Sequence, residues 1–222
     1  MKDQDLIRML DISCVRQIHT VEEVRLACRL ALEHEMAAVF VMPSHLPEAV
    51  KLLEGQKLVK PASVIGFPSG GESTAGKIYQ AEELLRTGCR EFDMVMNLSW
   101  LRDKRYGEIS REIRLVKQAI GPWQLKVIIE ASLLSREEIT AASSTAAEGG
   151  ADFVKTGTGW AGPSTCEMIS GIREGLKAWP EVRIKAAGGI RSRALMEQMY
   201  DLGCTRFGIG IQTWKSIFEK ET

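Results

Sequence analysis

Short apolar runs alternate with longer, helix-periodic stretches along the chain. The runs predict strands near 7–13 (IRMLDIS), 38–42 (AVFVM), 62–66 (ASVIG) and 91–96 (EFDMVM). Four more are expected near 125–130 (LKVIIE), 151–155 (ADFVK), 182–187 (VRIKAA) and 205–209 (TRFGI). Between them the helical period predicts helices near 21–35, 45–54, 73–87, 105–120, 136–148, 164–178 and 192–202, and a last one near 212–220. Thr20/Glu23, Ser135/Glu138 and Ser164/Glu167 each fit a capping box, in which a hydroxyl and a carboxylate satisfy orphan amides of the first turn. Glycines in TGC (87–89), GGA (149–151) and LGC (202–204) mark helix ends, where a left-handed residue is needed.

Alternating strands and helices imply parallel pairing through right-handed crossovers, with no linker to divide residues 1–222 into more than one domain. An open doubly wound sheet and a closed (β/α)8 barrel both fit the count. The strand faces separate them. In EFDMVMN, Phe92, Met94 and Met96 share one face; Glu91, Asp93 and Asn97 share the other with Val95. In LKVIIE, Val127 and Ile129 oppose Lys126 and Glu130, and Lys155 and Lys185 are expected to end their strands. An open sheet would bury these charges against helices on both faces at great cost. A barrel sends one face to the helices and the other to a lumen, whose upper layer can hold a polar site. The expectation is a single-domain α/β protein, a (β/α)8 TIM barrel.

Composition narrows the functional classes. The 222 residues are 45% hydrophobic, enough for one sizeable core, and 29 Lys plus Arg balance 29 Asp plus Glu. With no net basic charge, nucleic acid is not an expected partner. No apolar run approaches the length of a membrane span, and MKDQDLIRML does not read as a signal peptide. Five unpaired-looking cysteines (Cys14, Cys28, Cys89, Cys166, Cys204) suit reduced thiols in the cytoplasm. His19, His34 and His45 lie away from strand ends, so no metal site and no cofactor are expected.

Lys155 and Lys185 fall at the C-terminal mouth of neighbouring strands, where barrels place their chemistry. Amines roughly 5 Å apart at an effective dielectric near 20 repel by about 3 kcal/mol. That brings one of them roughly two pKa units below its free value near 10.4, and desolvation lowers it further. Such a lysine has a neutral fraction able to attack a carbonyl and form a Schiff base. Asp93 is the candidate proton carrier. Alternatively the lysines are held in salt bridges with Asp93 or Glu130. Glycines in TGTG (156–159), AAGGI (186–190) and GIG (208–210) follow three late strands and suit a phosphate held by backbone amides. Trp160 can line the same pocket.

The segments LDIS, VIGFPSG, EFDMVMN, LKVIIEASLLSREEI, ADFVKTGTGW and IKAAGGIRS, in that order, resemble the 2-deoxyribose-5-phosphate aldolase family over nearly the whole chain. The resemblance implies a (β/α)8 barrel that needs no metal or cofactor. It implies reversible cleavage of 2-deoxyribose 5-phosphate to acetaldehyde and glyceraldehyde 3-phosphate. It matches Lys155 to the Schiff-base lysine, Lys185 to the second lysine that lowers its pKa, and Asp93 to the proton-relay aspartate. Asp11 matches a position near the substrate. Thr158, Gly159, Gly188, Gly189, Gly210 and Ile211 fall in the substrate-binding loops. A homodimer is in keeping with family members. The chain departs from the family where Gly210 and Ile211 replace serines expected after FG, which predicts weaker phosphate dependence. Phe40 and Met42 make the second strand's mouth bulkier, and the segment after KTGTGW is short. The terminal FEKET lacks a tyrosine-bearing tail. A related Schiff-base lyase for an unphosphorylated or different sugar, or a non-catalytic barrel, are the alternatives.

Overall fold

The structure, a computed structural model, describes residues 2–218. Eight parallel strands close into a barrel in sequence order. They are β1 (Leu10–Cys14), β2 (Ala38–Val41), β3 (Lys60–Ile65), β4 (Glu91–Val95), β5 (Gln124–Ile128), β6 (Phe153–Lys155), β7 (Arg183–Ala187) and β8 (Cys204–Gly210). The expected helices form an outer layer: α2 (Val21–His34), α3 (Leu46–Leu52), α4 (Thr74–Thr87), α6 (Tyr106–Ile120), α7 (Arg136–Glu148), α8 (Cys166–Gly175), α9 (Arg193–Asp201) and α10 (Ile211–Phe218). Two short helices were not expected, α1 (Asp3–Ile7) and α5 (Leu98–Arg102). Both are five residues long, too short for a helical period to show. Residues 219–220 of the expected last helix, and most of FEKET, lie outside the described residues.

Local chemistry explains most boundaries. Thr20 and Ser135 form the expected capping boxes with Glu23 and Glu138. The box expected at Ser164/Glu167 does not form: Thr165 caps α8, one residue later, and accepts from the Met168 amide. Ser164 is buried instead, with its hydroxyl donating to the Ala187 carbonyl at 2.7 Å. Gly88 and Gly203 take the left-handed conformation just past their helices, and at GGA it is Gly150 rather than Gly149 that does so. Lys155 ends its strand as expected, whereas Lys185 sits in the middle of β7.

The alternation divides the interior in two. Phe92, Met94, Val127 and Ile129 join the large core between barrel and helices. Ala38, Phe40, Ala62 and Val64, from β2 and β3, form a separate apolar cluster inside the lumen. Apart from Phe153 of β6, whose ring lies under the Lys126 amine, the next layer of the lumen is charged. Asp11, Asp93, Lys126 and Lys185 are buried there, contributed by β1, β4, β5 and β7. Charges this deep persist only when paired, and their pairing makes the site.

Candidate functional site

β6 and β7 pair in a register that sets Lys155 directly beside Lys185. Both amines reach the same oxygen, Oδ2 of Asp93 on β4, at 2.6 Å and 2.8 Å. Asp93 Oδ1 is buried and accepts no hydrogen bond, its nearest cation being Lys126 at 3.9 Å. The network continues downward. Lys185 also pairs with Asp11 Oδ2 at 2.6 Å, Arg206 on β8 donates through Nε to Asp11 Oδ1 at 2.7 Å, and its Nη2 reaches Glu91 at 2.6 Å. Lys126 donates to the same Glu91. An irregularity in the β7–β8 pairing beside Lys185 brings Lys185 and Arg206 into register, so that both enter the lumen. Gly208 lets β8 pack closely on β7 here: a Cβ there would stand 2.9 Å from Ala187 Cβ.

Electrostatics separate the two lysines. Burial pushes the Lys155 amine down; Asp93 opposes this and Lys185 adds to it, leaving the amine at about 8. Burial acts on Lys185 as well, but Asp11 and Asp93 together outweigh it and hold Lys185 above the usual lysine value. Asp93 is stabilised as a carboxylate: burial raises its pKa, and the ammonium groups of Lys155, Lys185 and Lys126 more than reverse that. The sequence attributes the depression of Lys155 chiefly to its cationic neighbour; in the structure desolvation comes first. The expected ion pairs with Asp93 also form, so the salt-bridge and nucleophile readings are one arrangement. Glu130 takes no part in them.

The charged groups Asp11, Glu91, Asp93, Lys126, Lys155, Lys185 and Arg206 carry one more cation than anion when all are ionised. Deprotonating Lys155 balances them. Lys155 is also the lysine that faces open space, 7% exposed against 1% for Lys185.

Lys155 opens into a cavity of about 790 Å³ at the C-terminal mouth of the barrel. Every sequence-predicted site residue lines it: Asp11, Asp93, Lys155 and Lys185 at its floor strands, Thr158 and Gly159 after β6, Gly188 and Gly189 after β7, and Gly210 with Ile211 where β8 passes into α10. The Gly188–Gly189 loop packs against the loop after β6 closely enough to need glycine. Gly189 has φ +69°, and a Cβ there would stand 2.5 Å from Pro163 Cβ. Thr156 and Ser164 hydroxyls, 2.7 Å apart, both reach the Ala187 carbonyl and tie the two loops together. Thr158 turns inward: its hydroxyl donates to Glu130 at 2.5 Å, and its amide does so at 3.1 Å. Glu130 holds this grip from a left-handed backbone, φ 48°. Trp160 lines the cavity, edge-on to Phe67.

Sequence reasoning passed over Arg206, and gave Lys126 and Glu91 no role. The signal was present: in CTRFGIG, Arg206 shares the lumen-facing alternation with Gly208 and Gly210. It also missed Arg16, Arg191, Thr213 and Ser216 at the cavity wall. The two α10 hydroxyls stand near where the expected serines are replaced by Gly210 and Ile211. Among the described residues no cluster of three or more histidine, cysteine or acidic side chains could hold a metal. No helix there is long and apolar enough to cross a membrane.

A family model described as DeoC/LacD family aldolase matches residues 5–218. The deoxyribose-phosphate aldolase of Rhizobium meliloti (strain 1021) is 41% identical over 210 residues, covering 94% of this chain and 84% of that one. That of Coprothermobacter proteolyticus is 40% identical over 202 residues, 90% of this chain and 91% of the relative. Among solved structures, the deoxyribose phosphate aldolase of Aeropyrum pernix, described as tetrameric, superimposes with a TM-score of 0.83 at 27% identity, covering 96% of this chain and 92% of that one.

Proposed function

The chain belongs to the DeoC/LacD aldolase family, and from that premise we propose that Lys155 is the amine with which it cleaves 2-deoxyribose 5-phosphate, reversibly, to acetaldehyde and glyceraldehyde 3-phosphate. It is an aldehyde-lyase of the deoxyribose-phosphate aldolase kind. The observation that carries the residue assignment is the pair of amines on one Asp93 oxygen, of which Lys155 alone is held near neutrality and open to the cavity.

In the cleavage direction, neutral Lys155 attacks the C1 aldehyde carbon to give a carbinolamine. Loss of water leaves an iminium, which draws electrons from the neighbouring bond. The C3 hydroxyl gives up its proton, the C2–C3 bond breaks, and its electron pair moves into the iminium as an enamine while glyceraldehyde 3-phosphate departs. Protonation at C2 and addition of water then release acetaldehyde and free the amine. The unpartnered Asp93 Oδ1 is the oxygen available to take and return protons, through water, while Oδ2 stays bound to the ammonium of Lys185. Lys185, pinned by two carboxylates, remains a cation throughout and supplies a fixed positive charge beside the developing alkoxide.

The phosphate end of the substrate is assigned to the other side of the cavity. Gly188 and Gly189 offer amides, α10 begins there with Ile211, and Arg191, Thr213 and Ser216 add a cation and hydroxyls. A cytoplasmic location, with the five cysteines free, and self-association belong to the same proposal. Sedimentation velocity distinguishes a dimer from a tetramer.

Borohydride reduction in the presence of acetaldehyde is expected to leave one two-carbon adduct per chain, located on Lys155 by peptide mapping. An adduct elsewhere, or none under turnover conditions, overturns the assignment. A non-catalytic barrel would show no retro-aldol activity over a panel of sugars and no difference from Lys155→Leu.

A further inference from the structure

We propose that Phe40 sets the length of the carbonyl donor, limiting it to two carbons. Phe40 stands on β2, inside the barrel, and belongs to the lumenal apolar cluster with Ala38, Ala62 and Val64. It is 2% exposed, and the surface it does present lines the cavity together with Val64. Its ring lies over the charged layer. Lys185 Nζ is 3.9 Å from the ring centroid, Lys126 Nζ 4.8 Å and Lys155 Nζ 6.0 Å. These contacts, favourable for ammonium groups over a π face, hold the ring in place from three strands.

The distance to Lys155 is the informative one. This inference rests on Lys155 being the imine-forming amine. In an imine the second carbon of the donor lies about 2.5 Å from the nitrogen, two bonds away at trigonal angles. On the side facing Phe40 that leaves roughly 3.5 Å to the ring, ordinary contact between carbon atoms. A further methyl carried by that second carbon toward the ring, as in propanal, would overlap it. The ring cannot retreat, because Lys185 and Lys126 pack against it and the protein interior around β2 and β3 is closed. The apolar face also suits the donor: a CH₂ or CH₃ group meets Phe40 and Val64 rather than a polar wall. The acceptor end, by contrast, lies among glycine loops and hydroxyls.

Aldol addition to glyceraldehyde 3-phosphate is measured with acetaldehyde and propanal, using the wild-type chain, Phe40→Leu and Phe40→Ala. Borohydride trapping with each donor runs in parallel, and circular dichroism checks folding. The wild-type chain is expected to favour acetaldehyde over propanal by tenfold or more in kcat/KM. Phe40→Ala should shrink that preference at least tenfold, and Phe40→Leu at least threefold. A merely structural role would lower all donors together and leave the ratio alone. A folded Phe40→Ala with an unchanged ratio overturns the proposal; where the alanine variant does not fold, an unchanged ratio in Phe40→Leu does so. Loss of every adduct in folded variants also overturns it, since the ring would then support the lysines rather than gauge the donor. Absence of a Lys155 adduct in the wild-type chain is a different failure, that of the imine assignment itself.

Discussion

Lys155 and Lys185 are direct register partners on adjacent strands and share one carboxylate oxygen, yet their amines are driven in opposite directions. The difference lies in the second anion. Asp11 reaches Lys185 at 2.6 Å, whereas among the described residues the close anionic partner of Lys155 is Asp93 alone. Two carboxylates against one decide which lysine stays charged and which is driven toward its neutral form.

Replacing Lys155 with leucine should therefore abolish the borohydride adduct and lower kcat/KM by about 10³-fold or more, the scale on which losing a covalent nucleophile acts. Stability should not fall. The folded Lys155 sits at about 8, below the ordinary lysine value, so folding near neutrality works against its protonated form. That penalty is present at low pH and fades as pH rises through the ordinary lysine range. Thermal melts at pH 7 are expected to give Lys155→Leu a Tm at or above wild type.

The pH profile of kcat/KM should rise through an acidic limb near 8, as Lys155 loses its proton. Removing Lys185 (Lys185→Met) takes away a repelling cation and frees Asp93 for Lys155, so the limb moves to higher pH. Asp93→Asn removes the anion that favours the ammonium of Lys155, so the limb moves to lower pH. There the plateau also falls by about 10²–10⁴, the usual contribution of a proton carrier. Limbs that move together in the two variants would contradict this geometry.

Glu130 holds the Thr158 amide and hydroxyl from a strained backbone. Glu130→Gln leaves the shape but weakens charge-assisted bonds, and Glu130→Ala removes them. Losing bonds of this class costs about 1.5–3 kcal/mol. KM for the sugar phosphate should rise in the order wild type, Gln, Ala, with the pH limb unmoved, because Lys155 keeps its partners.

Gly189→Ala places a Cβ 2.5 Å from Pro163 at φ +69°. The backbone must shift, at about 1–3 kcal/mol for the strained conformation alone. Urea melts should show the destabilisation, and the loops after β6 and β7 should lose their mutual closure, seen as faster amide exchange at Ser164.

Arg191→Ala tests the phosphate end. A cation lost from a phosphate contact weakens binding by about tenfold or more. KM for 2-deoxyribose 5-phosphate is expected to rise by that factor, while turnover of unphosphorylated 2-deoxyribose stays within twofold. If both substrates suffer equally, the phosphate lies elsewhere in the cavity.

The alternation of charged and apolar residues in EFDMVMN, LKVIIE and ADFVK was enough to show that these strands face helices on one side and a polar lumen on the other. Side chains alternate strictly along a strand, so that inference is local. The glycine-rich ends of the late strands likewise announced the mouth of the barrel, and Lys155, Lys185 and Asp93 could be placed there from their strand positions. Closure of the barrel decided the rest. Asp11 and Arg206 are 195 positions apart in the chain and meet only because β1 pairs with β8. Phe40 reaches three ammonium groups on β5, β6 and β7 only from across the lumen. Ser164 looked like a helix cap and became an interior hydroxyl because Thr156 and the Ala187 carbonyl came within reach. Inward or outward is a property of a residue and its neighbours along the strand; the protonation of a buried amine depends on every charge the folded barrel gathers around it.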